Sequence, residues 1–347
     1  MNDTDFQKIL DAYDYQYPKE LIAQSPASPR DSARLMIYNR KSDKVFFDIF
    51  ANTTEYLPEK SLLVFNQTKV VPARLICRKE TGGKIVLLYI GQNGDNLKFL
   101  SDRKIEISSK IFLTSKLFFT VAGQSEKFYF LRPSFPADEI FSVLQRYGKT
   151  PLPPYIKETL LKEKELREKY QAIFAKQTGS VAAPTASLHF TQSLLDKIKK
   201  SGHNIEFITL HVGLGTFAPL MEENIATGKL HQEYFEISES AADAINKAKE
   251  EGWPIIAVGS TVTRALEAKS DANGVLISGC GQTDIFIREG YKFKIVDGLI
   301  TNFHVPRSSL LMLISAFAGR KNTLELYQKA IRQKFHLFSF GDGMMIL

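Results

Sequence analysis

Cysteine is nearly absent from this 347-residue chain, which holds only Cys77 and Cys280. Two thiols exclude a disulfide framework and a cysteine-rich zinc site, and they fit a reducing compartment. Long hydrophobic runs are missing as well. The longest, Leu310 to Ala318, is about half of the ~20 residues that a membrane span needs, so it reads as a core element. The N-terminal MNDTDFQKIL carries Asp3 and Asp5 and has neither a basic nor an apolar leader segment, so no signal peptide is expected. No basic low-complexity tail, internal repeat or regularly spaced His/Glu ligand set such as H-E-x-x-H occurs, and no bound metal is expected. These absences point to a cytoplasmic protein.

What is present is the composition of an ordinary globular protein, with 44% hydrophobic and 24% charged residues. Its length suggests two domains. The net charge of +7 mildly favours a polyanionic partner, held by a folded surface because no basic tail exists.

From about Leu62 to Arg132 the pattern is β-like. The runs LLVF, VVPARLIC, KIVLLYIG, KIEIS, IFLTSKLFFTV and KFYFLR are separated by turn-forming residues, with Thr81-Gly82-Gly83 and Asn93-Gly94-Asp95 as hairpin connections. Closely spaced strands without helices suggest a small barrel or sandwich. A helix is expected over Pro136 to Tyr147, ended by Gly148. TPLPPY (150–155) is a rigid boundary, and Glu158 to Tyr170 reads as a charged, solvated helix.

After Ser180 strands alternate with helices. Strands are expected at 205–210, 255–258, 275–278 and 284–287, and helices at 192–201, 240–251 and 263–269. This alternation argues for an α/β layer, in which ligands collect at the carboxyl ends of strands.

The loops after these strands carry the candidate chemistry. His211-Val212-Gly213-Leu214-Gly215-Thr216-Phe217 follows one strand, but no third glycine opens a helix, so a dinucleotide fingerprint is not supported. Gly259-Ser260-Thr261 leads into a helix holding Arg264, a start that offers free N–H groups to an anion. Ser180 to Thr191 is rich in small residues and contains His189. His231 and Glu233 share a strand face if the segment is extended, a spacing suited to acid–base work. Asn302 and His304 precede the apolar run, with Asp297 upstream. Four of the six histidines sit in such loop settings, while His203 and His336 read as structural.

Together, FNQTKVVPARL (65–75), PLPPYI (151–156), GSVAAPTASLHFT (179–191), TLHVGLGTF (209–217), LHQEYF (230–235), AVGSTVTRALE (257–267), DGLITNFHVPRSSLLMLISAFAG (297–319) and FSFGDGMMIL (338–347) resemble the S-adenosylmethionine:tRNA ribosyltransferase-isomerase family of queuosine synthesis. They fall in family order over nearly the whole chain. The resemblance implies an α/β catalytic domain, residues 1–70 and 150–347, with an all-β barrel inserted at 71–149. It implies S-adenosylmethionine as a co-substrate, with no tightly bound cofactor. The ribosyl group is transferred to 7-aminomethyl-7-deazaguanine in the tRNA anticodon and isomerised to give epoxyqueuosine, with release of adenine and methionine.

Such a reaction needs several proton transfers, each worth roughly 10²–10⁴ in rate. His189, His211, His231, Glu233 and His304 are the expected catalytic groups. Ser180, Gly213, Gly215, Thr216, Thr261, Arg264, Asp297 and Asn302 are expected at the co-substrate: Thr261 or Arg264 at its carboxylate, Asp297 at its ammonium, and the Gly213–Thr216 turn, with Phe217, against ribose or adenine. A methyltransferase, a non-enzymatic RNA-binding module and a dehydrogenase are the weaker alternatives. The first lacks its usual glycine-rich start, the second leaves the loop histidines unexplained, and the third lacks the third glycine.

Overall fold

A computed structural model describes residues 3–213 and 219–347. Its larger part is a nine-stranded mixed sheet. The strands Asn204–Leu210, Leu62–Asn66, Ile255–Val258 and Gly298–Asn302 lie side by side and parallel at its centre. LLVFN and IIAV are fully buried throughout, as strands covered on both faces must be. Successive residues feed opposite layers: Leu62 and Val64 face the core built with the C-terminal helices, and Leu63 and Phe65 face the one built with Phe190 and helix Gln192–Lys200. Strand Gly343–Ile346 joins the two ends of the chain, antiparallel to Gly298–Asn302 and parallel to Arg34–Asn39.

Between residues 74 and 133 six antiparallel strands close into a barrel. Alternate residues, among them Leu75, Cys77, Ile85, Leu87, Phe99 and Phe119, fill its interior, and helix Ile140–Tyr147 adds Ile140 and Leu144 to that core.

The chain's entry to and exit from the barrel run together. Arg74 N–H donates to the Lys149 carbonyl at 3.1 Å, and Lys149 N–H returns to the Arg74 carbonyl at 2.8 Å. Gly148 has an ordinary φ of −76°, so it is not the left-handed helix cap that its position suggests. It is glycine because a Cβ there would lie 1.8 Å from the Pro72 carbonyl oxygen.

The charged segment expected to be a solvated helix is shorter, Glu163–Lys169, and does more than face water. Glu163 Oε1 accepts from the Thr150 N–H at 2.9 Å and from the Thr150 hydroxyl at 3.0 Å. Arg167 pairs with Glu163 and donates to the Gln145 and Gly148 carbonyls. The Gln171 amide holds both the N–H and the carbonyl of Val70. One short helix and its flank thus grip both connections to the barrel.

Two further expectations are corrected. Residues 275–278 form no strand; the edge strand is Gly279–Ile285, whose glycines hide it from a propensity reading. The helix expected from 263 begins at Ser260, directly after the strand ending at Val258.

Candidate active site

Because the four central strands are parallel, their carboxyl ends, Asn66, Leu210, Val258 and Asn302, align along one edge of the sheet. Asn66 ties this edge together: its amide donates to the Leu210 carbonyl at 2.9 Å and to Thr261 Oγ1 at 3.3 Å, and its Oδ1 accepts from the Leu210 and Thr68 N–H groups. Asn66 was not among the expected site residues. The signal for it is an amide closing an otherwise apolar strand.

A cleft enclosing about 590 Å³, part of it open to solvent, lies over this edge. Thr261, Thr301, Asn302 and His304 supply polar groups to its wall, while Ala186 and Phe338 supply apolar ones. Helix Ser260–Lys269 begins here, so its first N–H groups lie at the cleft.

Asn302 is 1% exposed, and its Oδ1 has no hydrogen-bond partner among the described residues. Its Nδ2 is held at 3.2 Å from His189 Nε2 and 3.1 Å from the Phe338 carbonyl oxygen. An acceptor left unpaired inside a protein costs on the order of 1–3 kcal/mol, so its place in a ligand cleft invites a donor from the ligand. His189 lies behind Asn302, stacked on Phe50 at 4.1 Å between ring centroids. Burial, reinforced by the Arg30 charge, lowers its pKa to about 3.

His304 stands in the cleft wall with Nε2 at 2.9 Å from Thr301 Oγ1, and its N–H donates to the Tyr327 hydroxyl at 3.0 Å. Desolvation lowers its pKa to about 3 as well. Both imidazoles are therefore neutral at physiological pH.

These shifts set a pH dependence of stability. Unfolded histidine titrates near 6.5, whereas folded His189 stays neutral down to about 3, so the unfolded chain binds more protons between these values. Stability present above pH 6.5 is lost as the pH falls toward 3, with a limiting slope of about 1.4 kcal/mol per unit for each such histidine. His189→Gln should flatten the acid limb of unfolding free energy measured from pH 7 to 4. An unchanged slope would remove His189 as a source.

The remaining expected residues divide. His211 ends its strand with Nδ1 at 2.7 Å from Thr68 Oγ1 and its ring stacked on Tyr234. Gly179 makes room for it, since a Cβ there would lie 2.7 Å from His211 Nε2. Desolvation also lowers the His211 pKa, opposed by the Glu236 charge. On strand Lys229–Ile237 burial alternates from Glu233 onward, so Glu233 points inward and Tyr234 outward, while His231 is half-buried in the stretch where the pairing register shifts. Glu233 is 3% exposed; it accepts the Gly213 N–H at 2.8 Å and forms an ion pair with Arg264, itself 4% exposed. Arg264 Nε and Nη2 have no partner among the described residues.

Ser180 is fully buried and spends its hydroxyl internally, donating to the Ala182 carbonyl and accepting the Val212 N–H at 2.9 Å. Asp297 lies at the other end of strand Gly298–Asn302, exposed, and accepts the Ile255 N–H at 2.9 Å. It is therefore at the opposite edge of the sheet from the cleft, and the structure does not bring it together with Thr261 and Asn302. Gly215, Thr216 and Phe217 lie outside the described residues.

Comparison with known proteins identifies the lineage. The family described as "Queuosine biosynthesis protein" matches residues 10–346. The chain belongs to this family. An S-adenosylmethionine:tRNA ribosyltransferase-isomerase of Caldanaerobacter subterraneus subsp. tengcongensis is 46% identical over 345 residues, covering 96% of this chain and 98% of the relative. The protein of the same description from Fusobacterium nucleatum is 46% identical over 348 residues, covering 97% and 96%. Among solved structures, the S-adenosylmethionine tRNA ribosyltransferase of Thermotoga maritima is 31% identical, covers 97% of this chain and all of its own, and superposes with a TM-score of 0.55.

Proposed function

We propose that this family member transfers the ribosyl moiety of S-adenosylmethionine to 7-aminomethyl-7-deazaguanine at the wobble position of tRNA and isomerises it, giving epoxyqueuosine and releasing adenine and methionine. The observation that carries the placement of this chemistry is the unpaired, buried Asn302 Oδ1 in the cleft at the carboxyl edge of the sheet. The activity for which these relatives are named supports the reaction class. Thr261 and the helix start suit the co-substrate carboxylate, and Asn302 suits one of its N–H donors.

The sulfonium acidifies the neighbouring C5′ proton, so a base must take it, and adenine leaves more readily when protonated. His304, held neutral in the cleft wall, is available as a hydrogen-bond partner rather than as a strong base. Glu233, already engaged by Arg264 and the Gly213 N–H, serves better to fix the loop that begins at Gly213 than as a free base. Deazaguanine stands in an RNA loop and must be unstacked to reach the cleft.

Incubation with S-adenosylmethionine and precursor-bearing tRNA should release free adenine and add the epoxycyclopentane mass to the nucleoside. Methyl transfer without adenine release would overturn the reading in favour of a methyltransferase. Asn302→Ala should weaken S-adenosylmethionine binding by tenfold or more in calorimetry, the scale of one lost hydrogen bond in a desolvated site. Unchanged affinity would move the co-substrate away from Asn302.

A further inference from the structure

The chain's positive charge is concentrated in one place. Residues 71–149 hold thirteen Lys and Arg against seven Asp and Glu, a surplus of six out of the chain's seven. Within this segment two lysines gather on one aromatic ring. Lys98, on strand Asn96–Ser101, places Nζ 3.9 Å from the Phe128 ring centroid, and Lys127, in the turn before strand Phe128–Pro133, places its own 5.6 Å away. Neither lysine has a salt-bridge partner among the described residues. Lys127 is exposed, and Lys98 and Phe128 are half-buried.

Both ammonium groups lie close enough to act on His231, on strand Lys229–Ile237. The half-buried His231 has its pKa lowered first by desolvation and then by the charges of Lys127 and Lys98, opposed by Glu126 and Glu233. Two residues beyond His231, Glu233 holds the Gly213 N–H, where the loop after strand Asn204–Leu210 leaves the carboxyl edge. Unpaired ammonium groups beside an aromatic face are what a nucleic-acid backbone and its unstacked bases require.

We propose that Lys98, Lys127 and the Phe128 ring form a seat for the tRNA backbone, across the gap from His231, that steers the substrate nucleotide toward the cleft. This inference rests on the tRNA reading above. The lysines would neutralise phosphates, with the Phe128 ring beside them for a neighbouring base or ribose. Positioning of this kind is sequence-independent, so selectivity for the modified base stays with the cleft.

Binding of full-length tRNA by fluorescence anisotropy across a salt series tests the seat. The double variant Lys98→Glu/Lys127→Glu should bind tRNA at least tenfold more weakly than wild type. Its slope of log Kd against log salt should be shallower by about 1.4–1.8, the value for two lost phosphate contacts. S-adenosylmethionine affinity and the unfolding midpoint should not change. Lys98→Gln/Lys127→Gln, a milder pair, should give a smaller loss in the same direction, and Lys329→Glu, beside Phe47 on the outer edge of the sheet, should give none. Wild-type tRNA affinity and slope in both double variants would overturn the seat while leaving the tRNA reading intact. Failure of the wild-type protein to bind tRNA would overturn both.

Discussion

Glu233→Ala should lower the unfolding free energy by about 3–5 kcal/mol, the cost of leaving one partner of a buried ion pair behind. The reason is the burial of Arg264, which is 4% exposed and makes its only described charged contact with Glu233. The Gly213 N–H would lose its acceptor at the same time. Denaturant titration measures the stability term, and turnover measures the loop. A second pair of variants separates the two. Replacing both charges, Glu233→Leu with Arg264→Met, should recover most of the stability, because an apolar pair of similar volume often replaces a buried ion pair at little cost. Activity should not recover, because nothing then holds Gly213. If the double variant regains full turnover, the pair is a stability element alone.

Gly148→Ala is expected to be the most disruptive single methyl among the described glycines. Its Cβ would meet two backbone oxygens, of Pro72 at 1.8 Å and of Leu144 at 2.6 Å. Backbone cannot rotate aside as a side chain can, so the two connections to the barrel must separate. Overpacking usually costs about 1–3 kcal/mol, and this contact belongs at or above the top of that range. The Arg74–Lys149 backbone pair and the Arg167 bond to the Gly148 carbonyl would be strained together. The expected readout is a lower unfolding midpoint with a tRNA affinity that falls more than S-adenosylmethionine affinity. Wild-type values for all three would show that the connections can part freely.

The sequence carries the broad plan because its periodicity is local. Alternating runs between residues 74 and 133 mark the barrel, and uninterrupted apolar runs such as IIAV mark strands covered on both faces. Its blind spots are matters of pairing across distance. Asp297 and Asn302 sit on one short segment, and only the direction of its strand puts them at opposite edges. Gly148 reads as a helix end because its neighbours form a helix, while the contact that requires glycine comes from Pro72. The charged helix looked solvated because i,i+4 spacing reports only the helix itself, and the partners of Glu163 and Arg167 lie elsewhere in the chain. Asn66 escaped for the same reason, its bonds running to Leu210 and Thr261.

Strand Gly343–Ile346 has a kinetic consequence. Its residues pair with Arg34–Asn39 on one side and with Gly298–Asn302 on the other, so Leu35 meets Gly343 across almost the whole sequence. The barrel's ladders, by contrast, link near neighbours such as Arg74 with Leu88 and Leu97 with Leu131. Folding speed falls as contacting residues grow more distant along the chain. A nascent protein would thus finish its barrel early and hold the α/β sheet open until these C-terminal residues arrive. The barrel would be shaped well before the cleft at the carboxyl edge of the sheet.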